Sequence, residues 1–193
     1  MGNTVFPFEA VAPATPEERL LLRRYPLFFR AAYFPGTHPS NLGLWGIECG
    51  PGWHPLIEQA ASIIEADLHK LLRRLTNVQM LTSVERRLQY IPVDKLLGDE
   101  GSEAQPEAVI PYCSGISKCQ NGLRIQISAG YLEDGQTWLR IRTAANMAQS
   151  LAKSVCELCG AKGRSNLWNE YVYCCSCDPF EQPMRRPASD IKS

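Results

Sequence analysis

Cys156-Glu157-Leu158-Cys159 and, fourteen residues further on, Cys174-Cys175-Ser176-Cys177 constrain this chain more than any other stretch. Two Cys-x2-Cys pairs at that separation are close to the spacing expected of a four-cysteine zinc site. Each two-residue spacer lets two sulfurs of one turn address a single ion, whose tetrahedral preference four thiolates satisfy. Backbone N–H groups of such a turn can also hydrogen-bond the sulfurs. Gly160, directly after the first pair, supplies the backbone freedom that a knuckle needs. Cys156, Cys159, Cys174 and Cys177 are therefore the expected ligands of one structural Zn²⁺. Cys175 could take the place of Cys174 only with a one-residue spacer, so it reads as a spare. Disulfides are the competing reading, but they belong to oxidising compartments. Residues 1–14 carry neither a basic n-region nor a continuous apolar h-region. The expectation is a reducing, cytoplasmic setting.

A chain of 193 residues suits one domain, or one domain with a small metal-stapled appendage. Lys+Arg and Asp+Glu both number 20, which argues against a protein whose main task is to hold a phosphate backbone. No apolar run approaches the ~20 residues of a membrane span, so no membrane partner is expected. The fold class expected is α+β, a small helical and sheet body with a C-terminal zinc-ribbon knuckle. Residues 1–14 read as an extended segment, 15–155 as the body, 156–180 as the ribbon and 181–193 as a disordered tail.

Within the body, Thr15-Pro16-Glu17-Glu18 is a helix start with a capping-box acid and proline at the first helical position. That helix should break near Tyr25-Pro26, because a residue before proline avoids the helical region. The aromatic run that follows can be a packed core segment or an exposed docking patch. Phe28, Phe29, Tyr33 and Phe34 are its candidate partner-binding residues. Residues 42–49 read as a short strand or extended approach, followed by a tight turn at Gly50-Pro51-Gly52. The periodicity then predicts a helix over 55–75, with Ile57, Ala61, Ile64, Leu68, Leu71 and Leu75 forming one apolar stripe.

A second helical stretch is expected around 83–90, and Arg73, Arg74, Arg86 and Arg87 would form a basic patch if the two helices are neighbours. Residues 98–108 read as a flexible acidic loop. Residues 109–119 are extended and contain Cys113 and Cys119, which could form a second metal site with Cys49 and a histidine. Leu123 to Ser128 alternates apolar with polar, which predicts a half-buried strand with Leu123, Ile125 and Ile127 inward. Trp138, Ile141, Ala145, Ala148, Leu151 and Val155 fit one helical face capped by Asp134 or Thr137, although Trp138 to Ile141 could instead be a hairpin's return strand. Either element feeds directly into Cys156 and ties the knuckle to the body. Tyr171-Val172-Tyr173 is the expected ribbon strand.

Three pieces in this order, Cys49-Gly50-Pro51-Gly52-Trp53, Gly122-Leu123-Arg124-Ile125 and Ser154-Val155-Cys156-Glu157-Leu158-Cys159-Gly160, resemble a loose group of phage and prophage proteins. The resemblance covers roughly residues 46–76 and 121–178. This chain departs from the pattern in an N-terminal extension and in a long stretch between the helix and the strand. No activity carries over from that group; the resemblance implies a mobile-element accessory protein with a zinc ribbon.

For function, Cys49 with His54 is the best nucleophile–base pair on paper, yet closeness along the chain does not make a catalytic geometry. There is no Gly-rich phosphate loop, and four cysteines close a zinc shell that a catalytic ion would keep open. We expect a non-enzymatic binding protein, with a host or defence protein as partner. The alternative is a nucleic-acid binder that uses Lys162 and Arg164 of the ribbon and the arginines at 73–87.

Overall fold

The computed structural model describes residues 12–36, 38–75, 110–120, 122–128, 135–165 and 171–179. Helix α1 (Pro16–Arg24) begins with the expected capping box. Glu18 N donates to Thr15 Oγ1 at 3.3 Å, and Thr15 N donates to Glu18 Oε2 at 2.7 Å. The helix ends at Tyr25, ahead of Pro26. Ser40 then caps a short helix α2 (Asn41–Trp45), and only two residues of strand β1 (Ile47–Glu48) follow. The expectation of strand over 42–49 is thus corrected. Ser40 Oγ accepts from Gly43 N at 3.0 Å, which starts a helical turn where a strand or extended approach is expected.

Helix α3 (His54–Leu75) carries the predicted stripe: Ile57, Ala61, Ile64 and Leu68 are fully buried and Leu71 nearly so. Each buried Ile or Leu of that stripe contributes about 1.5–3 kcal/mol by leaving water. Strands β2 (Tyr112–Cys119) and β3 (Gly122–Ser128) form an antiparallel pair, and β1 adds to β2 in parallel through Ile47↔Ile116 and Glu48↔Ser117. Leu123 and Ile125 are buried as expected and Ile127 is partly so.

Helix α4 (Gly135–Ala152) follows, so the hairpin alternative over 138–141 does not occur. Because α4 begins at Gly135, Thr137 lies inside it and is no cap; it is buried beside Arg140, and Asp134 lies outside the described residues. Its core face is Ile141, Ala144, Ala145, Ala148 and Ala152, whereas Leu151 is exposed. Of the predicted face, Trp138, Ile141, Ala145, Ala148 and Val155 pack on the core, and only Leu151 is corrected. Alanines carry little hydrophobic signal in the sequence, yet their small side chains let α4 pack closely on α3. The two helices run antiparallel: Trp53, just before α3, reaches Val155 beyond the end of α4, while Asp67 pairs with Arg140 in the first turns of α4. Among the described residues, no helix is long and apolar enough to cross a membrane. The architecture is α+β.

The aromatic segment is interior. Phe28 and Phe29 are completely buried, Tyr33 nearly so and Phe34 partly, so the first three are unavailable as a docking patch. Two buried ionisable side chains hold them there. Glu65 of α3 accepts from Leu27 N at 3.0 Å and Phe28 N at 2.8 Å. Arg30 donates to Leu27 O at 2.9 Å, to Pro111 O at 3.0 Å and to Ile110 O, and its Nε donates to His38 Nε2 at 3.1 Å. These bonds satisfy backbone groups that would otherwise be stranded in the core.

His38 accepts from Arg30, which requires a neutral ring, and burial together with the Arg30 charge pushes the imidazole down to about 4. The stability that follows from a depressed histidine is present above its unfolded pKa and lost as pH falls toward the folded one. Glu65 runs the opposite way, because burial outweighs its N–H partners and Arg30 and pushes its carboxyl up to about 7. Replacing His38 by Gln retains an acceptor for Arg30 and removes only the histidine titration. Between pH 7 and pH 5 the wild type should lose about 2 kcal/mol more stability than His38→Gln. Urea denaturation of both proteins at the two pH values measures this, and equal losses would contradict it.

Candidate metal centre

The chain leaves α4 at Ala152 and enters a tight hairpin. Gly163 N donates to Ser154 O at 2.9 Å and Cys156 N to Ala161 O at 2.7 Å, and Val155 bridges to Lys162. Strands β4 (Arg164–Ser165) and β5 (Val172–Tyr173) then pair antiparallel. Glu157 N donates to Val172 O at 2.8 Å, which lays β5 beside the first cysteine pair. The predicted ribbon strand is therefore present, with Val172 buried beneath it.

Both cysteine pairs close into single helical turns. Gly160 N donates to Cys156 O at 2.9 Å, and Gly160 sits at φ 76°, in the region that favours glycine. Cys177 N and Asp178 N donate to Cys174 O at 3.0 and 2.9 Å. The sulfurs of Cys156, Cys159, Cys174 and Cys177 all lie within 4.8 Å of one another, and this is the group able to hold a metal ion among the described residues. Cys175 is exposed and stands outside the cluster, as the two-residue spacing requires.

Electrostatically, Cys156 is prepared for a cation. Burial pushes the Cys156 thiol up, but backbone N–H groups of Cys159, Cys174 and Leu158 outweigh it and bring the group down to about 7. Ala161 N–H likewise favours the Cys159 thiolate, although sharing protons with Cys174 and Cys156 leaves that thiol raised overall. Cys177 is pushed up to about 12, chiefly by its hydrogen bonds to Cys159 and Cys174. Four mutually close thiols resist losing all their protons together, and a divalent ion at their centre removes that resistance. Soft sulfur donors in a closed set of four suit zinc among common metals.

The knuckle is bound to the body by a contact that periodicity could not disclose. The turn before α3, Gly50 to Trp53, packs directly against residues 155–160. Gly52 N donates to Glu157 O at 2.7 Å, Gly50 N to Glu157 Oε1 at 3.2 Å, and the indole Nε1 of Trp53 to Val155 O at 2.8 Å. The backbones approach so closely that a Cβ on Gly52 would lie 2.2 Å from Cys156 O and 2.5 Å from Gly160 N. Two of the motifs that carry the phage resemblance are thus halves of one joint. Glu157 is buried, and it joins the two halves.

The remaining candidates do not assemble. Cys113 is fully buried in the core, its Sγ directed at Gly115 O at 3.7 Å, and with Cys49 and Cys119 it forms no second metal group among the described residues. Cys49 is no activated nucleophile, since burial, Glu157 and Glu18 push its thiol up to about 12. His54 faces Glu18 instead, with Nε2 3.7 Å from Oε1. Arg73 is exposed on α3, while Arg86 and Arg87, the side chain of Arg74, the stretch over 83–90, the loop 98–108 and the tail 181–193 lie outside the described residues. No protein-family model, curated protein or solved structure matches the chain.

The joint makes Gly52→Ala a specific probe, because both clashing groups are backbone and cannot swing aside. The substitution should lower stability by about 2–4 kcal/mol and speed transfer of the metal to a chelator. Gly36→Ala, where nothing stands within 4 Å of the new methyl group, should change neither. Thermal unfolding and chelator competition on the metal-loaded proteins measure both effects.

Proposed function

We propose that this is a non-enzymatic, zinc-stapled binding protein of a phage or other mobile element, whose partner is a host or defence protein. The observation that carries the reading is the four-sulfur cluster fastened to the body through Gly50, Gly52 and Trp53. Four protein ligands would fill the zinc shell and leave no position for a substrate, so the ion's place is architectural. Cys156, Cys159, Cys174 and Cys177 would hold it. The mobile-element origin rests on the resemblance of the joint's two motifs and the Gly122–Ile125 strand.

Exposed apolar side chains support a protein partner. Leu44 and Trp45, adjacent on α2, are 61% and 63% exposed, and a large aromatic left so open is a common anchor of protein interfaces. Nucleic acid is the second reading, and the ribbon supplies its observation. Arg164 is the cross-strand partner of Tyr173, which stacks on Tyr171 at 5.2 Å, so a cation and two aromatics share one ribbon face. The Tyr171 ring is already engaged by Tyr173 and by the Lys118 amine, 3.6 Å from its centroid, which leaves little ring surface for a base. That occupancy favours the protein partner.

Elemental analysis should find one zinc per chain. Cys156→Ser and Cys177→Ser should abolish stoichiometric zinc and unfold the ribbon, whereas Cys175→Ser should keep full zinc. Full zinc in the first two, or halved zinc in the third, would reject the ligand set. For the partner, host proteins retained by the wild type should be lost with a Leu44→Ser, Trp45→Ser double variant that keeps its zinc. A steeply salt-dependent mobility shift with generic DNA or RNA would favour the nucleic-acid reading instead.

A further inference from the structure

The face of the three-stranded sheet that carries Arg124 and Gln126 bears a second feature that the metal reading does not use. A groove of about 520 Å³ opens between α2 and β3, lined by Ser40, Asn41, Ser114, Arg124, Gln126 and Ile127. Five of these six side chains are able to hydrogen-bond a ligand and none is acidic. The Arg124 side chain is exposed and, among the described residues, makes no ion pair or hydrogen bond. Its neighbours across the sheet are Ser117 and then Glu48, the latter two strands away, about 10 Å by strand spacing. A lone guanidinium over a floor of hydroxyls and amides is a receptor for an anion.

Local backbone features build this groove. The β2–β3 register shifts between Cys113 and Gly115, so Ser114 is the extra residue of a bulge, a device that re-aims a side chain. Gly115 keeps the floor open. A Cβ there would lie 2.5 Å from Gln126 Oε1 and 3.4 Å from Asn41 Cβ, the two residues that flank it. Ser40 Oγ accepts from Gly43 N and retains its proton for donation outward.

We infer that this groove binds a phosphate group, with Arg124 as its charged anchor and Ser40, Asn41, Ser114 and Gln126 as the surrounding donors. A carboxylate has two oxygens, which the arginine fork alone satisfies. A phosphate group presents four oxygens, ester or free, which match the wider ring of donors here. The inference does not depend on the metal reading, because none of the groove residues belongs to the zinc ligands or to the joint.

The test is titration of the metal-loaded, full-length protein with inorganic phosphate, a nucleoside monophosphate and a six-nucleotide single-stranded oligothymidylate, with acetate at matched ionic strength. The readout is the NMR shifts of the Arg124 Nε–H and of the Asn41 and Gln126 side-chain amides. Phosphate-bearing probes should give saturable shifts confined to the groove. Arg124→Gln should weaken them by about tenfold or more. Because the Arg124 side chain is exposed and has no partner among the described residues, that variant should keep the wild-type circular dichroism and zinc content. Gly115→Ala, which displaces the Gln126 amide with Arg124 intact, should weaken binding as well. Saturation by the oligonucleotide at lower phosphate concentration than the mononucleotide supports the proposal with a nucleic-acid strand as source; equal saturation supports it with free phosphate compounds. No saturable shift, equal shifts with acetate, or unchanged binding in Arg124→Gln would each overturn it.

Discussion

The contact on which the rest turns is backbone against backbone, Gly52 on Cys156 and Glu157, with no side chain between them. It decides that the cysteine hairpin is part of the body. It also decides where α3 begins, since Trp53 is fully buried and spends its indole N–H on Val155 O. α3 in turn carries the stripe that packs on α4, and α4 feeds the chain back into Cys156. The loop of dependence closes on itself: hairpin, turn, helix, helix, hairpin. Loss of the metal would remove the constraint that shapes residues 155–160, so its effect should extend beyond the ribbon to the start of α3.

The interior obeys a second constraint, the satisfaction of polar groups. Arg30 and Glu65 are both nearly buried, yet between them they serve five backbone groups and one imidazole. Buried charges are costly when unpaired and tolerable when fully hydrogen-bonded. Here they let an irregular aromatic segment, with only a 3₁₀ turn at Arg30–Ala32, lie in the core where a regular helix would have satisfied its own backbone. Asp67 plays a related part at the α3–α4 seam. Burial would raise its carboxyl, but Arg140 and Lys70 hold it below its ordinary value.

Features written in short-range chemistry were legible in the sequence. The Thr15–Glu18 box, the α3 stripe, the β3 alternation and the choice of Cys174 over Cys175 each follow from spacing within a turn or two. Features that depend on long-range encounters were not. The parallel pairing of Ile47 with Ile116 and the docking of Gly52 on the knuckle join residues far apart in the chain. The aromatic run over 25–34 looks the same whether exposed or buried; what decides is Glu65, some thirty-seven positions away. In α4 the misread residue was Leu151, because size was taken as the mark of the core where close helix packing had selected alanine. The metal's four ligands could be read; its attachment could not.

Order of synthesis adds a consequence of that attachment. Gly50 and Glu157 are 107 positions apart, so the turn emerges from the ribosome long before the strand it will clasp. Until then its amides face water, and α3 stands without its terminal anchor. A nascent chain broken off ahead of Val155 would lack the clasp altogether, and would display the unanchored turn to cellular proteases. An ion held by the four sulfurs would thus double as a seal on the finished molecule, set only when the last cysteine pair has been made.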